Sequence, residues 1–79
     1  MSRYDKFHME DVLRDHIGEE TYLFYNSGGS DTGIIVEVGR GYILLSAPDS
    51  GNKFYDAYKT IVVNLENVTN IFIDRKNLK

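Results

Sequence analysis

The two histidines are the side chains best suited by type to metal binding or acid–base catalysis. They are His8 and His16, and no third ligand stands beside them at a metal-like spacing. The serines fall in predicted loops or strand ends, without the strand-turn-helix motif that exposes a nucleophile. The chain contains no cysteine, which excludes thiol catalysis, disulfides and cysteine-ligated metals. We therefore expect no catalytic residue, no metal site and no cofactor.

Acidic side chains are concentrated in the first twenty residues, which contain six acidic and three basic residues. Glu10, Asp11 and Asp15 fall on the side of a predicted helix opposite its apolar stripe. A carboxylate pair for acid–base work needs two different environments in a cleft, so these residues are predicted to be solvated. The functional alternative is a docking face for a basic partner.

The overall charge argues against a general phosphate-binding surface. Nine Lys and Arg residues stand against twelve Asp and Glu residues, which gives a formal net charge of −3. Proteins that neutralise many phosphates carry the opposite excess. The basic residues cluster only in the tail at residues 75–79. Nucleic acid is therefore possible as a partner but disfavoured.

Six tyrosines are the least routine feature of the composition. Tyr55 and Tyr58 flank Asp56 in a predicted long hairpin. A tyrosine ring packs at one end while its hydroxyl stays in water, which suits a protein contact. Cross-strand packing in the core is the alternative use of these rings.

A single helix is predicted near the beginning of the chain, over about residues 6–17. Its apolar stripe follows helical spacing, and Gly18 is predicted to end it. The residues of the stripe are Met9, Val12, Leu13, His16 and Ile17.

Five β-rich segments follow, separated by turn residues. The short turns imply antiparallel neighbours. The sequence predicts one mainly β domain over residues 1–79, in which a helix caps a strongly bent, five-stranded antiparallel barrel of the SH3-like (Sm-like) type. The predicted strands cover about 21–26, 33–38, 41–47, 54–65 and 69–74.

An open barrel of this kind leaves the fourth and fifth strands at its edges. The fifth strand contains no Pro and no Lys, so it has no sequence protection against pairing. We expect a protein partner or a second copy of the chain to add a strand there. The predicted contact residues are Tyr55, Tyr58, Thr69, Ile71 and Ile73.

One stretch carries a family resemblance. Residues Gly33–Pro48 comprise an apolar strand that begins with glycine and contains a glutamate, a Gly-Arg turn, and an apolar strand ending in Ser-Ala-Pro. This order, continued through residues 49–72, resembles the GerQ family of bacterial spore-coat proteins. The resemblance implies a non-enzymatic structural or recruiting protein that assembles on the spore surface from the cytoplasm of the mother cell. The chain contains no glutamine, which excludes the glutamine cross-linking associated with that family.

The same order of elements is similar to that of Sm-like proteins, and it implies an alternative function as an RNA-binding oligomer subunit. The residues that would contact RNA in that case are Arg40, Tyr42, Arg75 and Lys76. The Sm-type Asp-x-aliphatic-Asn signature is missing, and the negative net charge also weighs against this alternative.

Nothing in the sequence pattern predicts contact with a membrane. No apolar run approaches the ~18 residues of a membrane span, and the N-terminal residues lack the pattern of a signal peptide. The expected location is the cytoplasm.

Overall fold

The order of the elements is one helix followed by five strands, as predicted. The computed structural model describes residues 6–49 and 57–74, and the side chains among them from residue 9 onward. The elements are α1 (Lys6–Arg14), β1 (Glu20–Tyr25), β2 (Ser30–Gly39), β3 (Tyr42–Pro48), β4 (Tyr58–Asn64), a 3₁₀ turn (Leu65–Asn67) and β5 (Val68–Ile73). The predicted strand residues 54–56 and the predicted basic tail lie outside the described residues.

All five strands belong to one antiparallel sheet, in the order β4-β3-β2-β1-β5. This confirms the mainly β class and places β4 and β5 at the two edges. Closure into a barrel requires pairing between those two strands. Among the described residues no such pair forms, so the sheet is open and the predicted barrel is not confirmed.

The helix ends three residues earlier than predicted. After Arg14 the N–H groups of Asp15 and His16 donate to carbonyls three residues back, at 3.2 and 2.9 Å, which tightens the chain into turns. Gly18 then adopts a positive φ of 98°, and its N–H donates to the carbonyl of Ile35 at 2.8 Å. The hydrogen bond from Gly18 to β2 therefore replaces the bonds that would continue the helix. As a result Ile17, which was predicted on the apolar stripe, is exposed.

Strand β2 begins at Ser30, three residues earlier than predicted. Asp31 and Thr32 pair in register with Leu23 and Tyr22 of β1. The turn between the two strands is therefore only four residues long, over 26–29. Pairing with an apolar strand recruits Asp31, a residue type with little strand preference of its own.

The core lies on one face of the sheet, beneath α1. Helix and sheet each contribute apolar side chains, and a register shift at Val36 of β2 turns Val38 inward as well as Ile35. The buried cluster comprises Leu13, Leu23, Ile35, Val38, Ile43, Leu45, Val63 and Leu65.

The opposite face of the sheet, called the outer face below, carries apolar side chains in contact with solvent. In β4, Val62 is 70% exposed. Among the described residues, no element covers the outer face of this strand. The exposed aromatic residues of β1 and β5 lie on this face too.

Candidate functional site

Strand β5 forms one of the two edges that the described residues leave unpaired. The Asp74 N–H donates to the carbonyl of Glu20 at 2.9 Å, and the pairs Thr21 with Ile73 and Leu23 with Ile71 follow in register. In an antiparallel ladder every second residue turns both backbone groups toward the partner strand. The backbone groups of Ile71 and Ile73 therefore point away from β1, toward the side where the described residues place no further strand.

The side chains of the residues predicted at this edge have different surroundings. Ile71 and Ile73 are half-buried and pack against the core, so only their backbone groups face outward. Thr69 is exposed, and its hydroxyl donates to Asn26 Oδ1 at 2.7 Å. At this edge, the backbone groups of Ile71 and Ile73 are therefore unpaired among the described residues, while their side chains pack against the core.

A groove runs between α1 and β5 on the core side of this edge. It has a volume of about 250 Å³ and is lined mainly by apolar side chains. The lining residues are Met9, Val12, Leu13, Val68, Thr69, Ile71 and Ile73. A strand added to β5 would place every second side chain over this groove.

On the outer face, next to the same edge, three exposed rings form a cluster that we call the aromatic patch: Tyr22, Phe24 and Phe72. The Phe24 and Phe72 rings meet edge to face, with centroids 5.7 Å apart. Tyr22 stands directly opposite Phe72 in the strand register. The sequence assigned these residues to strands, but the contact surface that they form was not predicted.

The second edge, β4, carries one of the two tyrosines predicted as contacts. Tyr58 is exposed, whereas Tyr55 lies outside the described residues. The Asp49 N–H donates to the carbonyl of Ala57 at 3.1 Å, so by alternation the backbone groups of Tyr58, Thr60 and Val62 point to the free side. Unlike β5, this strand contains a lysine, Lys59, a residue type that discourages edge pairing.

The RNA-contact residues that the structure describes lie at the turn between β2 and β3. Arg40 is exposed there. The Tyr42 hydroxyl donates to Glu37 Oε2 at 2.7 Å, and this hydrogen bond to a carboxylate raises the pKa of Tyr42. Carboxylates beside the turn lower its attraction for phosphate. Arg75 and Lys76 lie outside the described residues.

A buried carboxylate joins the helix to that same turn. Glu10 was predicted on a solvated helix face, but it is only 3% exposed and accepts a hydrogen bond from the backbone N–H of Gly41. Gly41 has a positive φ of 82°, which favours glycine at this position. The prediction failed because it considered the helix by itself, without the neighbouring turn.

His16 is the one histidine whose side chain the structure describes, since the side chain of His8 lies outside the described residues. His16 is half-buried, and its Nδ1 lies 2.9 Å from Glu19 Oε1. No group of three or more His, Asp or Glu side chains among them is placed to hold a metal ion. Within the same residues, no helix has the length and apolar character to cross a membrane.

Tyr25 provides a test of the geometry next to the β1–β2 turn. Its hydroxyl donates to Asp31 Oδ2 at 2.6 Å, and burial, followed by this hydrogen bond and the carboxylate charge, raises its pKa from 10.0 to about 12. The neutral phenol therefore stabilises the fold fully below pH 10, and this contribution is lost as the pH rises through 12.

We expect an ultraviolet phenolate titration, taken as the difference between the protein and its Tyr25→Phe variant, to show this pKa. In the Asp31→Asn background the pKa should fall but stay above 10.0, because burial remains. An unchanged pKa in that background would contradict the contact with Asp31.

No protein-family model, curated protein or solved structure matches this chain. The candidate site is therefore defined by the structure alone, through the free edge of β5, the groove beside α1 and the aromatic patch.

Proposed function

We propose that this protein is a non-enzymatic structural module that self-associates by adding a strand of a second copy to an edge of its sheet. The observation that carries the proposal is the free edge of β5, where the backbone groups of Ile71 and Ile73 face outward. No charged residue occurs between Val68 and Ile73. An uncharged, unpaired edge is a template for another strand.

The surroundings of β5 support the same proposal. Apolar side chains flank the edge on both faces, through the groove beside α1 and through the aromatic patch. A small domain of 79 residues buries only about 60% of its unfolded surface, so a second copy adds burial that the single chain lacks. The strand order β4-β3-β2-β1-β5 is compatible with a small SH3-like (Sm-like) barrel whose fourth and fifth strands are at its edges. We propose that class for the fold.

The resemblance to the GerQ family extends the proposal to a cellular role. A protein that associates through strand edges suits a coat layer, in which the contacts are structural and need no catalytic residue. We therefore propose a spore-coat-like bacterial component, assembled from the cytoplasm.

Light scattering coupled to size exclusion tests the self-association. We expect the full chain to elute as a multiple of its 9.1 kDa mass at micromolar concentration. Phe72→Lys places a charge at the β5 edge on a side chain that is 54% exposed, so it should weaken association about tenfold or more while the chain stays folded.

Val62→Lys is the matched control, because it places the same charge on an exposed side chain of the opposite edge. It should leave association unchanged. A chain that remains monomeric up to high micromolar concentration would contradict the proposed function.

A further inference from the structure

Strand β5 has a symmetric centre in its sequence. Phe72 is flanked by Ile71 and Ile73, and Asn70 and Asp74 stand at equal distances on either side. An antiparallel pair of identical strands related by a two-fold axis through Phe72 places Ile71 opposite Ile73. The centre of the strand is therefore complementary to a second copy of itself.

We infer that the second copy binds through its own β5, antiparallel to the first, with the two-fold axis at Phe72. This inference rests on the proposed function and specifies its partner strand and register. The two five-stranded sheets then form one continuous sheet of ten strands in a closed dimer.

The backbone N–H and C=O groups that point away from β1 belong to the residues that this register pairs. Ile71 and Ile73 are the residues whose backbone groups point to the free edge. Ile71 of each copy faces Ile73 of the other, so both pairs are of the hydrogen-bonded type and together exchange about four hydrogen bonds. Their side chains stay on the core face in both copies, beside the groove of each α1.

The outer face gains contacts in the same register. The two Phe72 residues form a non-hydrogen-bonded pair, in which the side chains of an antiparallel ladder are closest. Tyr22 lies opposite Phe72 within each copy, so four rings form a row across the dimer. Aromatic pairs of this kind stabilise strand pairing. The dimer thereby uses the exposed aromatic patch.

The ends of the paired segment are compatible as well. Asn70 of one copy faces Asp74 of the other, and an amide N–H can donate to a carboxylate. No two like charges stand opposite each other between residues 70 and 74.

Pairing of β5 with β4 of a second copy would not align the core faces of the two sheets. The residues of β4 whose backbone points outward are Tyr58, Thr60 and Val62, and their side chains lie on the exposed face. The two members of a hydrogen-bonded pair share one face of a sheet. A β4–β5 contact therefore joins the outer face of one copy to the core face of the other.

Cysteine cross-linking tests the register, since the chain has no cysteine of its own. Asn70→Cys and Asp74→Cys are each predicted to stay non-covalent dimers under mild oxidation, because each thiol then faces a residue without one. An equimolar mixture of the two variants should give a covalent dimer. Opposed Cα atoms of a non-hydrogen-bonded pair are about 4.5 Å apart, within disulfide range.

Phe72→Cys is the second variant, with its thiols facing each other at the axis. It should cross-link by itself, whereas Val62→Cys, an equally accessible thiol on the other edge, should not. Dimers seen by light scattering without cross-links in the mixture or in Phe72→Cys would overturn the register and leave self-association standing. Species larger than a dimer would also overturn it, and a strict monomer would overturn both proposals.

Discussion

Replacing Ile35 with alanine is expected to lower the free energy of unfolding by about 2–5 kcal/mol. Ile35 is completely buried in the centre of the sheet, where it pairs in register with Leu45 of β3. The substitution removes three methyl or methylene groups and leaves a cavity between strands that are held in register and cannot close around it. A domain of 79 residues has a total stability of about 4–12 kcal/mol, so this loss is a large part of it.

Ile34→Ala is the matched control, because it makes the same chemical change one residue away on the same strand. Ile34 points to the outer face and is 43% exposed, so we expect a loss of less than about 1 kcal/mol. Urea unfolding followed by circular dichroism measures both variants. Equal decreases in the free energy of unfolding would contradict the assignment of Ile35 to the core face and Ile34 to the outer face.

The sequence was sufficient to predict the number, type and order of the elements. Alternating β-branched and aromatic residues mark the strands, and turn residues separate them, because both signals are local. The edge positions of β4 and β5 followed from the strand order of the predicted barrel, because short turns alone would place β5 beside β4, whereas it pairs with β1.

The features that the sequence did not predict all depend on contacts between distant residues. The inward position of Val38 results from the register shift at Val36, which interrupts the alternation on which strand facing is judged. The early end of α1 depends on the hydrogen bond from Gly18 to Ile35, seventeen residues later. No periodicity within a short window contains that information.

The contact surface was predicted only in part for the same reason. Strand periodicity identifies Ile71 and Phe72 as neighbours on opposite faces, but it does not say which face the helix covers. The structure shows that α1 lies on the side of Ile71, which leaves Phe72 exposed beside Phe24. The aromatic patch therefore emerges from the placement of the helix.

The second large effect is expected at Glu10. Glu10→Ala removes the acceptor of the Gly41 N–H and leaves that donor without its partner where α1 meets the β2–β3 turn. Gly41 is half-buried, and a hydrogen bond to a charged group contributes about 1.5–3 kcal/mol to stability. We expect a loss of about 2–3 kcal/mol in urea unfolding, and a smaller loss for Glu10→Gln, which keeps a carbonyl acceptor.

Amide hydrogen exchange distinguishes this contact from a general loss of helix. Asp11→Ala is the control, because Asp11 is a neighbouring carboxylate whose side chain is 76% exposed and whose salt bridge to Arg14 lies in solvent. It should change stability by less than about 0.5 kcal/mol and leave the Gly41 amide protected. In Glu10→Ala the Gly41 amide should exchange faster at once, before global unfolding. Unchanged protection of Gly41 would show that the carboxylate does not hold the turn, whatever the loss of stability.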